Sequence, residues 1–88
     1  MVNDVFENQK FLMYVVNDPT KVEIVKHRIN YRADSGAIKI VDNRPCAKDT
    51  YYVWQVECPR FEFNDLMRAL EVEEGLTEED LVYRKYES

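Results

Sequence analysis

Glycine is scarce in this chain of 88 residues: Gly36 and Gly75 are the whole supply, and they stand far apart. A phosphate-cradling loop needs several glycines close together, so that chemistry is excluded. Histidine is scarcer still, with His27 alone. One histidine and two cysteines, Cys46 and Cys58, do not match a zinc spacing. A nucleophile–base site would have to be built on His27, with Ser35 in a turn pattern, Ser88 at the last position and Cys58 as its candidate nucleophiles. The plainer expectation for His27 is a half-buried place on the inward side of a strand. The chain thus offers no catalytic residue, and it implies no metal and no cofactor.

Long apolar runs are missing too. The longest, Phe11 to Val16, falls far short of the roughly 20 residues that a membrane-spanning helix needs. The opening residues MVNDVFENQK have neither a basic n-region nor an apolar h-region, so no secretory signal is expected. Two cysteines are too few for a disulfide scaffold, and they read as reduced thiols of a cytoplasmic protein. Disorder is excluded from the other side: 45% of the residues are apolar, enough to build a core. The length is that of one domain, spanning residues 1–88.

Charge is unevenly spread. Residues 1–60 carry nine Lys/Arg and eight Asp/Glu, whereas residues 61–88 carry three and nine, on a chain whose net charge is −5. An acidic third attached to a nearly neutral body disfavours unspecific contact with nucleic acid and suits a basic protein partner. The competing account is a solvated helix face.

Five of the eleven aromatic residues and the single tryptophan fall between Thr50 and Leu70. The fold is expected to be organised around that stretch. Tyr52, Trp54, Val56 and Cys58 alternate with Tyr51, Val53, Gln55 and Glu57, so residues 50–58 read as a strand with the first set inward. Pro59 stops it. Phe63, Leu66, Met67 and Leu70 then recur at helical spacing. Gly75 ends that helix, with Leu76 turning back on Leu70. Thr77 and Asp80 form a short capping box, flanked by Leu76 and Leu81 as a staple, and predict a second helix.

Upstream, residues 1–8 have little pattern and read as a frayed end, with packing of Val5 and Phe6 as a short lead-in the alternative, and residues 9–16 (QKFLMYVV) read as a strand buried on both faces. Asn17-Asp18-Pro19-Thr20 is a turn pattern. Residues 21–32 admit two descriptions. Val25, His27, Ile29 and Tyr31 alternate with polar residues as a strand requires, with a bulge near Ile24 to absorb the parity change. Alternatively, Asp18 and Pro19 start a helix whose inner face is Val22, Val25 and Ile29. The strand is preferred, because Asp34-Ser35-Gly36 then forms a hairpin loop into a strand at residues 37–41. Residues 42–49, with Pro45, read as a polar loop.

The expected fold is therefore α+β, a four-stranded antiparallel β-meander followed by two C-terminal helices packed on one face. The runner-up order is βαββαα.

Two surfaces stand out as candidate sites. Glu71, Glu73, Glu74, Glu78, Glu79 and Asp80 flank Gly75 and should gather at one acidic corner. They lack the glycine-containing loop of a calcium site, and an exposed helix end does not make them an acid–base pair. Lys26, Arg28 and Arg32 should line one side of the second strand, with Lys39 and the Tyr51 ring nearby on the sheet. The leading functional expectation is a small non-enzymatic protein–protein interaction module, an adaptor or inhibitor that occupies a partner with a basic surface. Small accessory proteins of phages and mobile elements share this compositional profile. Aromatic excess supports an interface, since Tyr and Trp are its usual anchors. One alternative is nucleic-acid binding on the basic sheet face, and a second is an enzyme or small-ligand binder with an unmarked pocket. Membrane partners are not expected, and self-association is left open.

Overall fold

The computed structural model describes residues 7–46, 48 and 50–86. Val5, Phe6, Ala47, Asp49 and Ser88 lie outside the described residues. The chain runs β1 (Asn8–Val16), α1 (Pro19–Asp34), β2 (Lys39–Pro45), β3 (Tyr51–Pro59), α2 (Arg60–Arg68) with a π-helical continuation (Ala69–Glu73), and β4 (Leu81–Lys85). The four strands form an antiparallel sheet in the order β2-β3-β1-β4. β3 lies antiparallel to both β1 and β2, which are therefore parallel to each other and joined through α1. This is the split βαβ, or ferredoxin-like, topology.

The α+β class and the four-stranded antiparallel sheet are as expected, but the order βαββαβ is not a meander, and two segments change identity. Residues 19–34 are helix rather than strand. Pro19 occupies the first helical turn, where its missing N–H is no loss. Val25 and Ile29 are fully buried, whereas His27 is exposed and Tyr31 is 72% exposed. The alternation that suggested a strand paired residues that in fact face opposite ways. Gly36 does not close a hairpin. It ends α1 at φ 84. Its N–H donates to the Ala33 carbonyl and that of Ala37 to the Arg32 carbonyl, a Schellman end.

The second correction lies at the C-terminus. Residues 77–85 are a single turn and a strand rather than a helix. The capping-box bonds form as expected: the Thr77 N–H and hydroxyl both donate to Asp80 Oδ2, at 3.0 and 3.2 Å. The helix goes no further, because Leu81–Lys85 pairs with β1 from Val15 to Phe11. An unpaired edge of β1 offers Leu81, Val82 and Tyr83 a ladder that suits β-branched and aromatic residues. β2 also runs past its expected end, taking in Asp42 to Pro45. A bulge at Val41 restores its register, and Pro45 is tolerated at the end of an edge strand.

Both helices cover one face of the sheet. The core joins Phe11, Met13 and Val15 of β1, Trp54, Val56 and Cys58 of β3, and Val25 and Ile29 of α1 to Phe63, Leu66 and Leu70. The inward set of β3 and the apolar face of α2 are those that periodicity assigns. Phe11 and Phe63 stack at 4.1 Å, with planes 6° apart, and Tyr83 meets Phe63 edge-on at 5.2 Å. Full burial of each such side chain contributes about 1.5–3 kcal/mol before the entropy of ordering it is counted. Gly75 (φ 74) turns the chain out of the π-helical segment, and the Leu76 N–H donates to the Leu70 carbonyl. Among the described residues, no helix is long and apolar enough to cross a membrane.

Candidate functional site: the open face of the sheet

The helix reassignment breaks up both surfaces expected from the sequence. Lys26, Arg28 and Arg32 sit on α1, not on the sheet. Arg28 Nε donates to Glu74 Oε2 at 2.6 Å, and Arg28 Nη2 lies 3.5 Å from Glu73 Oε1. Lys21 binds Asp80 Oδ1. One member of the expected basic stripe thus pairs with two members of the expected acidic corner, and a third acid is held by the start of α1. These pairs join α1 to the segment that leads from α2 into β4. The Asp80 carboxyl is held below its ordinary range, first by Lys21 and then by the Thr77 N–H. Lys21 and Arg28 are shifted up by the hydrogen bonds to Asp80 and Glu74 respectively. Glu71, Glu78 and Glu79 remain exposed, as do Glu73, Lys26 and, in part, Arg32.

Potential nucleophile and base are also apart. His27 is exposed on α1, on the solvent side, while Cys58 is 1% exposed in the core. Burial pushes the Cys58 thiol up to about 12, with Glu62 and Glu57 adding to the effect. A thiol held protonated in apolar surroundings is a poor nucleophile. Ser35 donates its hydroxyl to the Arg32 carbonyl at 2.9 Å and serves the end of α1. No group of three His, Cys, Asp or Glu gathers at a common point among the described residues.

What the helices leave uncovered is the other face of the sheet. Residues directly opposite each other on antiparallel strands share a face. The pairs Leu12↔Gln55, Tyr14↔Val53 and Val16↔Tyr51 join β1 to β3, and Leu12↔Arg84 and Tyr14↔Val82 join β1 to β4. All belong to the set opposite the core. Leu12 is only 9% exposed, shielded by its strand neighbours, while Tyr51 is 36% and Val82 48% exposed. Tyr14 meets Tyr51 edge-on, with ring centres 6.5 Å apart. An open depression runs over Leu12, Tyr14, Val53 and Gln55, and Arg44, Cys46 and Tyr86 border it. Apolar and aromatic groups therefore occupy the middle of an uncovered sheet, with polar groups around them.

The rim is basic. Lys10, Lys39, Arg44 and Arg84 belong to the open face by register, against Asp42 and Glu57. Arg44 Nε lies 3.5 Å from Asp42 Oδ2, an exposed pair of small energetic weight. Among the described residues, those placed on the open face by register carry a net charge of +2, on a chain whose total is −5. Of the residues singled out from the sequence, Lys39 and Tyr51 do share this face, but at opposite ends of it: Lys39 lies opposite Glu57, whereas Tyr51 lies at the other end of β3, opposite Val16. Tyr14, Val53, Arg44 and Arg84 were missed. The signal available for Tyr14 and Val53 was the outward parity of the two central strands, legible once β1 and β3 are known to be neighbours; Arg44 and Arg84 lie on the edge strands β2 and β4.

No protein-family model and no curated protein matches this chain. Solved structures do resemble it. The C-terminal domain of the MgtC protein from Mycobacterium tuberculosis aligns over 99% of this chain and 95% of its own, at 13% identity and a TM-score of 0.56. An unknown protein from Galdieria sulphuraria aligns over 99% of this chain, at 17% identity and a TM-score of 0.54. This chain spans about half of that one, 53%. Likeness at such identities shows a shared fold and nothing more.

Proposed function

We propose that this chain is a small non-enzymatic binding module, an adaptor or inhibitor, that docks a partner on the open face of its sheet. One observation carries this reading. The two central strands, β1 and β3, present the exposed Tyr51 and the half-buried Tyr14, Val16 and Val53 on a face that neither helix covers. A face serving only solvation would alternate to polar residues there, as one-sided antiparallel sheets do. Aromatic side chains amid a charged rim are the usual anatomy of an interface. Separation of His27 from the buried Cys58 supports a role without nucleophilic catalysis.

The acidic corner is the weaker surface. Three of its six acids are engaged by α1, which leaves Glu71, Glu78 and Glu79 to solvent. The test is to capture the partner from native extract with wild-type protein, with Tyr51→Glu plus Val82→Glu, and with Glu78→Lys plus Glu79→Lys. Loss of the partner in the first variant alone, with melting curves unchanged, is the expected result. Retention there and loss in the second variant would move the site to the acidic corner.

A further inference from the structure

Charge and aromatic placement on the open face narrow the class of partner. The face is the more positive side of an acidic molecule, with Lys10, Lys39, Arg44 and Arg84 outnumbering Asp42 and Glu57. Two copies meeting face to face would bring these like charges together, which disfavours a second copy as the occupant. A partner that supplies both negative charge and flat apolar surface satisfies the rim and the centre at once. The bases and phosphates of an unpaired strand do so.

On the basis of the open-face reading, we propose that the occupant is a single-stranded nucleic acid, lying across β3 and β1 with bases on the Tyr51 side and phosphates at the basic rim. Tyr51 is exposed enough to receive a base, and Tyr14, half-buried, props it edge-on from the neighbouring strand. Val53 and Leu12 fill the floor between the strands. Arg84 borders one side of this path, opposite Leu12 from β4, and Arg44 borders the other, opposite Val53 from β2, while Lys10 and Lys39 lie at the end away from Tyr51, on either side of Glu57. Stacking and phosphate contact are indifferent to base identity, so the binding is sequence-tolerant. The chain's overall acidity does not oppose it, because much of the negative charge lies beyond Phe61 and β4, Leu81–Lys85, contributes no acid to the open face.

The test is fluorescence anisotropy of a labelled oligothymidylate of about twelve nucleotides, a length within the site sizes of single-strand-binding domains. The expected result is saturable binding at low salt. Four rim cations set a salt slope of about −3, so a fourfold rise in salt weakens binding about fiftyfold. Tyr51→Ala is expected to weaken it about fivefold to 150-fold, the effect of one lost base stack. Arg84→Glu weakens binding and flattens the slope, while Lys26→Glu, the same charge change on α1, leaves both unaltered. Absence of binding at low salt overturns the proposal, as does equal weakening by Lys26→Glu and Arg84→Glu. A stable dimer that Tyr51→Glu plus Val82→Glu disperses, in protein that binds no oligonucleotide, likewise overturns it. That last outcome leaves the open face a docking surface. Capture of the same partner by that face variant defeats the broader reading instead.

Discussion

Ile29 and Tyr31 stand two residues apart, and their fates separate a helix from a strand. In a strand they share a face. In a helix they point about 200° apart. The structure buries Ile29 completely and leaves Tyr31 72% exposed. Ile29→Ala removes three carbons from the core between α1 and the sheet. At about 0.8 kcal/mol per carbon the transfer loss is about 2.4 kcal/mol. The cavity left behind raises the cost within a range of about 2–5 kcal/mol, depending on how far Val25, Met13 and their neighbours relax. Tyr31→Ala removes a larger side chain but almost no buried surface, and alanine is the better helix former. Its effect is expected within about half a kcal/mol. Urea denaturation measures both, through midpoint shifts at constant slope. Similar losses for the two substitutions, or a greater loss for Tyr31→Ala, would refute the helix and with it the placement of Lys26, Arg28 and Arg32.

Three further outcomes follow from the same structure. Leu70→Ala, at a fully buried position on the α2 side of the core, is expected to cost about 2–5 kcal/mol, and a loss under half a kcal/mol would show that this face is not packed. A thiol reagent should modify Cys46, half-buried near the end of β2, in native protein and reach Cys58 only after unfolding; mass spectrometry before and after denaturant decides, and prompt double labelling of the native chain contradicts the burial of Cys58. The Lys21–Asp80 pair makes stability pH-dependent at both ends. Asp80 is shifted down, so its contribution is present above the unfolded carboxyl value and fades as pH falls through the lowered one. Lys21 is shifted up, so its contribution holds below the unfolded amine value and fades as pH rises through the raised one. Denaturation midpoints across pH should therefore fall less at the acid end for Asp80→Asn than for wild type, and parallel curves would deny the pair any role.

Local chemistry in this sequence was a reliable guide wherever one element satisfied it alone. The inward set of β3, the apolar face of α2, the turn at Gly75 and the Thr77–Asp80 capping bonds each depend on residues within about one helical turn or one strand of each other. Class and layer follow from them, since a one-sided strand and an amphipathic helix must bury their apolar faces against each other. Residues 21–32 were different. Val22, Val25 and Ile29 satisfy a helix, and Val25, Ile29 and Tyr31 satisfy a strand. The same valine and isoleucine therefore serve both periods, and the pattern alone does not choose.

Tertiary structure chose by supplying partners. α1 gains the burial of Val25 and Ile29 and ion pairs from Lys21 and Arg28 to acids 59 and 46 residues away. Leu81–Lys85 became a strand because β1 had an unpaired edge, although its own caps favour a helix. The candidate site has the same origin. Tyr14 and Tyr51 lie far apart in the chain and meet only because β3 inserts between β1 and β2. Sequence by itself determined which residues are apolar, which are charged and where local breaks such as Pro59 and Gly75 fall. Strand order decided which of them share a face, because that depends on contacts between segments whose separation along the chain carries no periodic signal.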